Sequence, residues 1–275
     1  RKILQIRCSN IDIEAYGCVP GYMFDQGKIG SNSSTSITQR VAIITAITGE
    51  AKTPLLSSTR FIRWGSKERD ILFNELEKVR IPKRLQNDYS FPMIGDERSI
   101  DVLIKAKNTN RTLADILGGN KRSCLYIPKA IRYFATASRV DLKRSQITLE
   151  FSHVSARNLA QVLINSSFFY WIWRTYGNGF QISKRDLHNL PLPTEASQLK
   201  YQKVIDTMAN RLHRRRKALA VETSNKGTIA NIKYDNDPKL MRDLDELVRE
   251  LLEVNTNFPF HAAKENSLAG YQSHF

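Results

Sequence analysis

Residues 165–180 read Asn-Ser-Ser-Phe-Phe-Tyr-Trp-Ile-Trp-Arg-Thr-Tyr-Gly-Asn-Gly-Phe, and residues 181–193 continue Gln-Ile-Ser-Lys-Arg-Asp-Leu-His-Asn-Leu-Pro-Leu-Pro. The organisation of the chain turns on this stretch. It holds two of the three tryptophans and the densest aromatic cluster in the chain. Aromatic side chains on a helix carry a large apolar area that needs a core, so residues 168–173 read as a buried root. Beyond the root lies surface chemistry: a Gly177-Asn178-Gly179 turn, a Lys184-Arg185 edge, and an extended Leu190-Pro-Leu-Pro193 exit. The exit is extended because a residue before proline is pushed out of the helical region.

Working back from the root, apolar residues at Leu159, Val162, Leu163, Phe169, Trp173 and Tyr176 follow helical spacing. They predict one helix over 156–176, capped by Ser155 and closed by Gly177. Residues 146–151 and 125–127 read as strands, and residues 130–137 place Arg132 among Ile131, Tyr133 and Phe134. Thr112 caps a short helix to Leu117, stopped by Gly118-Gly119. Residues 100–106 read as a short strand. Ser66 caps a helix to about Lys78, after a strand over 59–64. The β-branched run 41–47 reads as a buried strand, residues 17–40 as loop, and residues 2–7 as a strand.

Working forward, Ser183 with Asp186 three positions later forms a capping box for a single turn, after a short strand over 180–182. From Gln198 the character changes. Tyr201, Ile205, Met208, Leu212 and Leu219 alternate four- and three-residue steps, with Arg215 as the polar interruption. After a polar linker over 222–236, Asp237-Pro238 starts a second helix whose apolar face runs from Leu240 to Leu252. The first helix is basic and the second acidic, which predicts an antiparallel hairpin. The tail after Asn255 has no periodicity. The expected fold class is α+β: a mixed-sheet lobe with packed helices, followed by a C-terminal antiparallel helical hairpin.

Charge narrows the function. The chain carries 42 Lys and Arg against 27 Asp and Glu, a net +15, which favours a polyanionic partner because basic side chains release counterions from phosphates. The surplus lies mainly between residues 51 and 193. The hydrophobic fraction of 41% is enough for a real core, so the basic excess does not mark a disordered tail. Three cysteines without CxxC spacing fit a reducing cytosol and exclude a disulfide scaffold or a zinc site built from them. No apolar run of about 18 residues is present, so no membrane partner is expected. The chain opens at Arg1, straight into a strand-like run, which reads as a piece of a longer protein.

Catalytic signatures are missing. The sequence has no Gly-x-Gly-x-x-Gly, Walker loop or Gly-x-Ser-x-Gly elbow, and its five histidines have no metal-ligand spacing. Asp96-Glu97 and Asp101 precede Lys105 and Lys107. The positions two before those lysines are Leu103 and Lys105, so the carboxylate cluster of a metal-dependent nuclease is not formed. The candidate DNA contacts are Arg132, Tyr133, Arg139, Lys143, Arg144, Arg174, Asn178, Lys184 and Arg185. Arg and Asn read guanine and adenine edges by paired hydrogen bonds, and Lys and Arg near turns hold phosphates and set register.

Residues 159–193 resemble the target-recognition region of restriction–modification adenine-specific DNA methyltransferases, of type IIG and type I-like organisation. Asn165-Ser166, the 177–179 turn, Ser183-Lys-Arg-Asp-Leu187 and Leu190-Pro-Leu-Pro193 match that pattern in order. Residues 125–134 sit where such recognition lobes begin, and residues 238–254 are similar to their closing helix, without its usual tyrosine-glycine-leucine ending. Residues 21–47 look like the last strands of the methyltransferase fold.

The resemblance implies sequence-specific recognition of double-stranded DNA, in the cytoplasm, for methyl transfer from S-adenosylmethionine to adenine. The cofactor loop and the Asn-Pro-Pro-Tyr/Phe that holds the adenine are absent from this sequence, so no cofactor is expected to bind this chain. Catalysis would belong to an N-terminal methyltransferase region or subunit. The implied divisions are residues 1–118, the strand-rich end of the catalytic domain; 119–193, the recognition lobe; 194–255, the hairpin; and 256–275, an irregular tail. The alternative is an RNA- or protein-binding module of a phage-defence complex.

Overall fold

The computed structural model describes residues 7–16, 41–49, 54–62, 68, 71, 76–86, 91–119, 123–131, 134–179, 181–222, 229–254, 257–265 and 273–274. Residues 2–6 of the strand expected over 2–7, the loop over 17–40 and most of the expected helix over 66–78 lie outside them. The chain has an α+β fold and divides into two compact units, residues 1–101 with 265–275 and residues 102–264.

The first unit is built on a four-stranded mixed sheet. β1 (Cys8–Tyr16) lies between β2 (Val41–Thr48), antiparallel to it, and β3 (Leu55–Ile62), parallel to it; the short β4 (Val79–Arg80) pairs antiparallel with β3. β1 alternates Ile11, Ile13 and Ala15, each buried, with polar residues between them, the period of a strand with one face in a core. The β1–β3 register slips between Ile13 and Ala15, and there the Thr59 hydroxyl accepts the Ala15 N–H at 3.2 Å. β2 is a strand as expected, but it is not buried. It is the edge of the sheet, with Ile44 46% and Ile47 59% exposed.

Residues 100–106 are helical, not extended. They belong to α1 (Glu97–Lys107), within which the division between the units falls. The β-branched Ile100 and Val102 suggested a strand, but Asp96 caps the helix by accepting the Ser99 N–H at 2.7 Å. Ile100, Leu103 and Ala106 are then buried at helical spacing.

The second unit holds the aromatic stretch. β5 (Cys124–Pro128) and β6 (Gln146–Glu150) pair antiparallel, Leu125 opposite Leu149 and Ile127 opposite Ile147. The expected single helix over 156–176 is two: α2 (Val154–Ile164) and α3 (Ser167–Tyr176). Asn165 makes the break. Its side chain is fully buried, accepts the Ala137 N–H at 3.0 Å, and donates to the carbonyls of Ala137 and Gln161. Ser166 donates to the Leu163 carbonyl, and α3 restarts with its Ser167 N–H on the Asp245 carboxylate at 2.8 Å. A side chain that satisfies the backbone in place of the helical ladder ends the helix.

The aromatics of α3 are buried as read. Phe168 and Trp171 meet Phe258 and Phe260 with ring centroids 5.1–5.6 Å apart across the pairs. The tail therefore contributes to the core, and residues Phe260–Lys264 form a 3-10 turn. α4 (Lys184–His188) carries the expected capping box between Ser183 and Asp186.

α5 (Glu195–Leu219) and α6 (Pro238–Leu252) meet through Ser197 with the Leu251 carbonyl, Arg211 with Asp243 and Arg215 with Asp237. Rising positions on one helix meet falling positions on the other, so they run in opposite directions. Between them lie β7 (Ala220–Glu222), which leads into the linker expected over 222–236, and β8 (Ile229–Ile232) within it, a small antiparallel pair. Ile232 and Tyr234 are buried there, the tyrosine donating to the Leu212 carbonyl at 3.1 Å.

Candidate nucleic-acid interface

Three turns of the second unit converge on Lys129, the residue immediately after β5. Its N–H donates to the Ser145 carbonyl at 3.2 Å, and its own carbonyl accepts the Ile182 N–H at 2.8 Å. An isolated bridge joins Ala130 to Gln181 next to it. The turn before β6, the turn after α3 and the exit of β5, distant in sequence, thus share one backbone junction. Lys129, Lys143, Lys184 and Arg185 are exposed around it, with Arg144 half-buried.

Each turn is set by local chemistry. Asp141 accepts the Lys143 N–H at 2.8 Å and the Gln146 amide at 2.6 Å, which hold its carboxyl below the usual range, in that order of importance. Lys143 has φ 56°, the left-handed region, and its ammonium lies 3.3 Å from Asp141 while remaining exposed. Asn178 accepts the Gln181 N–H, three residues on, at 3.0 Å, and Gly179 at φ 65° lets the chain turn between them. Asp186 accepts the Ser183 N–H at 2.7 Å and its hydroxyl at 2.8 Å. This capping fixes the backbone from which Lys184 and Arg185 project.

The structure separates the remaining candidates. Lys143, Arg144, Asn178, Lys184 and Arg185 are brought to this surface. Arg132 and Tyr133 lie outside the described residues. Arg174 is a correction: it is only 5% exposed, because the turn of α3 that carries it is packed on all sides, and a side chain so buried does not reach a rigid duplex. Arg139 is also redirected. Its guanidinium donates to Gln161 at 2.7 Å, Asn210 at 2.9 Å and Asn158 at 3.1 Å. Burial, and then the neighbouring Arg157, lower its pKa to about 10. It ties the loop after Ser138 to α2 and α5.

Lys129 escaped the sequence reading. Its signal was present: a lysine directly after an Ile-Pro strand end, where a chain leaves a sheet and exposes its side chains.

Lys107 is half-buried against Tyr176, its ammonium 2.8 Å from the phenol oxygen and 4.0 Å from the ring centroid, and desolvation lowers its pKa to about 8. A cavity of about 330 Å³ is lined by Lys105, Asn108, Thr109, Pro193, Thr194 and Glu253, among others. No group of three His, Cys, Asp or Glu that could hold a metal occurs among the described residues. Among the same residues, no helix is long and apolar enough to cross a membrane.

Comparison with known proteins adds no relative. No family model, no curated protein and no solved structure matches the chain.

Proposed function

We propose that this chain recognises double-stranded DNA as the specificity region of a restriction–modification adenine-specific methyltransferase. The reading rests on the junction at Lys129, where three basic turns meet on one surface. Lys129, Lys143, Lys184 and Arg185 supply exposed cations of the kind that hold phosphates and set register. Asn178 and Arg144 supply the side-chain types that pair with base edges. The turns are rigid through their own hydrogen bonds, so little ordering entropy opposes binding. The resemblance of residues 159–193 supports the same reading and supplies the reaction class.

In this reading methyl transfer takes place in a catalytic region or subunit that binds S-adenosylmethionine. No described residue of this chain is assigned to the cofactor.

The test is competition between duplex DNA, the corresponding single strand and duplex RNA for the full chain, measured across a salt titration. Contacts to three or four phosphates give log Kobs against log salt a slope of about −3 to −4 for duplex DNA. Preference for RNA or for single strands, which are held by shape and stacking, would overturn the proposal and favour the RNA-binding alternative.

A further inference from the structure

A second basic cluster lies inside the same unit, where the loop after Ser138, α2 and α5 meet. Arg139 and Arg157 both donate to one neutral oxygen, Asn158 Oδ1, each at 3.1 Å. Arg216 stands one turn from His213 on α5, its guanidinium 3.3 Å from the ring Nε2. Among the described residues none of the three guanidiniums has a carboxylate within ion-pair distance. The acid that acts on Arg139 and Arg157 is Asp206, whose Oδ1 accepts from the amides of Asn158 at 2.7 Å and Gln202 at 3.1 Å.

Donors are left over in this cluster. Gln161 is fully buried; its carbonyl oxygen accepts from Arg139, while its amide nitrogen has no partner. Arg157 Nε and His213 Nδ1 are likewise buried atoms without a hydrogen-bond partner. Buried donors without acceptors cost more than exposed ones. Three half-buried guanidiniums that act on one another with a single acid, Asp206, near them are costly in the same way. Both costs are relieved by one kind of group, a compact oxyanion with several acceptor oxygens. Guanidinium forks match a tetrahedral phosphate geometrically.

We infer that Arg139, Arg157, His213 and Arg216, with the Gln161 amide, form a binding site for a phosphate-type oxyanion. The electrostatics agree. Burial, and then Arg216, Arg139 and Arg157, hold His213 below its usual range, and Arg157 is lowered mainly by burial. Tyr234 also faces the cluster, with its phenol kept protonated by burial. An anion at this point raises the histidine pKa, so His213 reports occupancy. The site does not depend on the duplex reading.

The experiment titrates the full chain with inorganic phosphate and tracks the imidazole protons of His213 by NMR, assigned with His213→Gln. The site predicts saturable binding with Kd of about 1 mM or tighter, with the pKa of His213 rising on saturation. Arg157→Gln, which removes a half-buried side chain with a single hydrogen bond, is expected to weaken binding about tenfold. Asp206→Asn, which removes the one nearby negative charge, is expected to tighten it. A purely structural role for the cluster would not produce opposite signs in these two variants. No saturable response, or an equal response in Arg157→Gln, overturns the inference. Competition by a short duplex would assign the bound group to a nucleic-acid phosphodiester. Retention of the free ion at saturating duplex would assign it to a small phosphate. Either result upholds the site.

Discussion

Asp245 of α6 reaches across to cap α3, the helix that carries the aromatic root. It is 6% exposed, and its Oδ1 accepts the Ser167 N–H at 2.8 Å. Two effects oppose each other. The cap satisfies a buried N–H at a helix start, and losing such a cap costs about 1 kcal/mol, up to about 2; leaving the donor buried and unpaired adds to that. Against this, burial raises the pKa of the carboxyl, more than the Ser167 hydrogen bonds lower it, so holding the charge there is itself costly.

Asp245→Ala therefore loses about 2 kcal/mol. Asp245→Asn keeps an acceptor and sheds the charge, so it stays within about 1 kcal/mol of the parent. The raised carboxyl also sets a sign. Its contribution is fully present below about pH 4, the unfolded carboxylate range, and is lost as pH rises through the folded value. Relative to the parent, Asp245→Asn thus gains stability between acid and neutral pH. Urea unfolding monitored by tryptophan fluorescence is suited to the measurement, since Trp171 and Trp173 lie in α3. Two results would count against this balance of effects. One is an Asp245→Ala variant within about 0.5 kcal/mol of the parent, the range of ordinary surface substitutions. The other is an Asn variant as damaged as the Ala variant.

Further expectations concern the same unit. At Gly177 an added Cβ would stand 2.6 Å from the Trp173 carbonyl and 2.7 Å from its indole ring. Gly177→Ala should therefore destabilise by about 1–3 kcal/mol in the same urea assay. Lys107, lowered by burial to about 8, is held in the folded state in a place that prefers it neutral. Its contribution is full above its unfolded value and is lost as pH falls from there through about 8. Lys107→Met should stabilise at neutral pH by on the order of 1 kcal/mol and flatten the stability profile above about pH 8. Asp237 is held below its usual range by the Leu240 N–H first and then by Arg215. The stability it provides is present above the unfolded carboxylate pKa and falls away in acid, so Asp237→Ala should make acid unfolding curves shallower.

Much of this fold is legible where a local rule acts alone. The Ser183–Asp186 capping box, the Asp237-Pro238 start of α6 and the burial of residues 168–173 need only neighbouring residues, and the structure contains all three. Reading fails where a distant partner decides. Asn165 breaks a helix of regular apolar spacing because Ala137 offers its backbone. Ile100 and Val102 look extended until Asp96 caps their helix. Phe258 and Phe260 have no periodicity of their own and are core only because α3 is there to meet them. The candidate surface divides along the same line. Lys184 and Arg185 are visible as a basic pair at a turn. Lys129 is marked in sequence only as a lysine at a strand end, and its backbone bonds to residues 145 and 182 are what join it to the other turns; Arg174 is indistinguishable in sequence from an exposed arginine.

The DNA reading requires that the surface around Lys129 hold phosphates. Its sharpest test is the salt dependence of duplex binding for the full chain and for Lys129→Gln/Lys184→Gln/Arg185→Gln. A matched variant with three exposed α5 cations replaced, Lys200→Gln/Lys203→Gln/Lys217→Gln, controls for net charge. Three lost phosphate contacts reduce the slope of log Kobs against log salt by about 2.7 in the first variant, with the slope of the second close to that of the parent. Equal slopes in the parent and the Lys129 variant, or an equal reduction in both variants, would remove the interface from this surface.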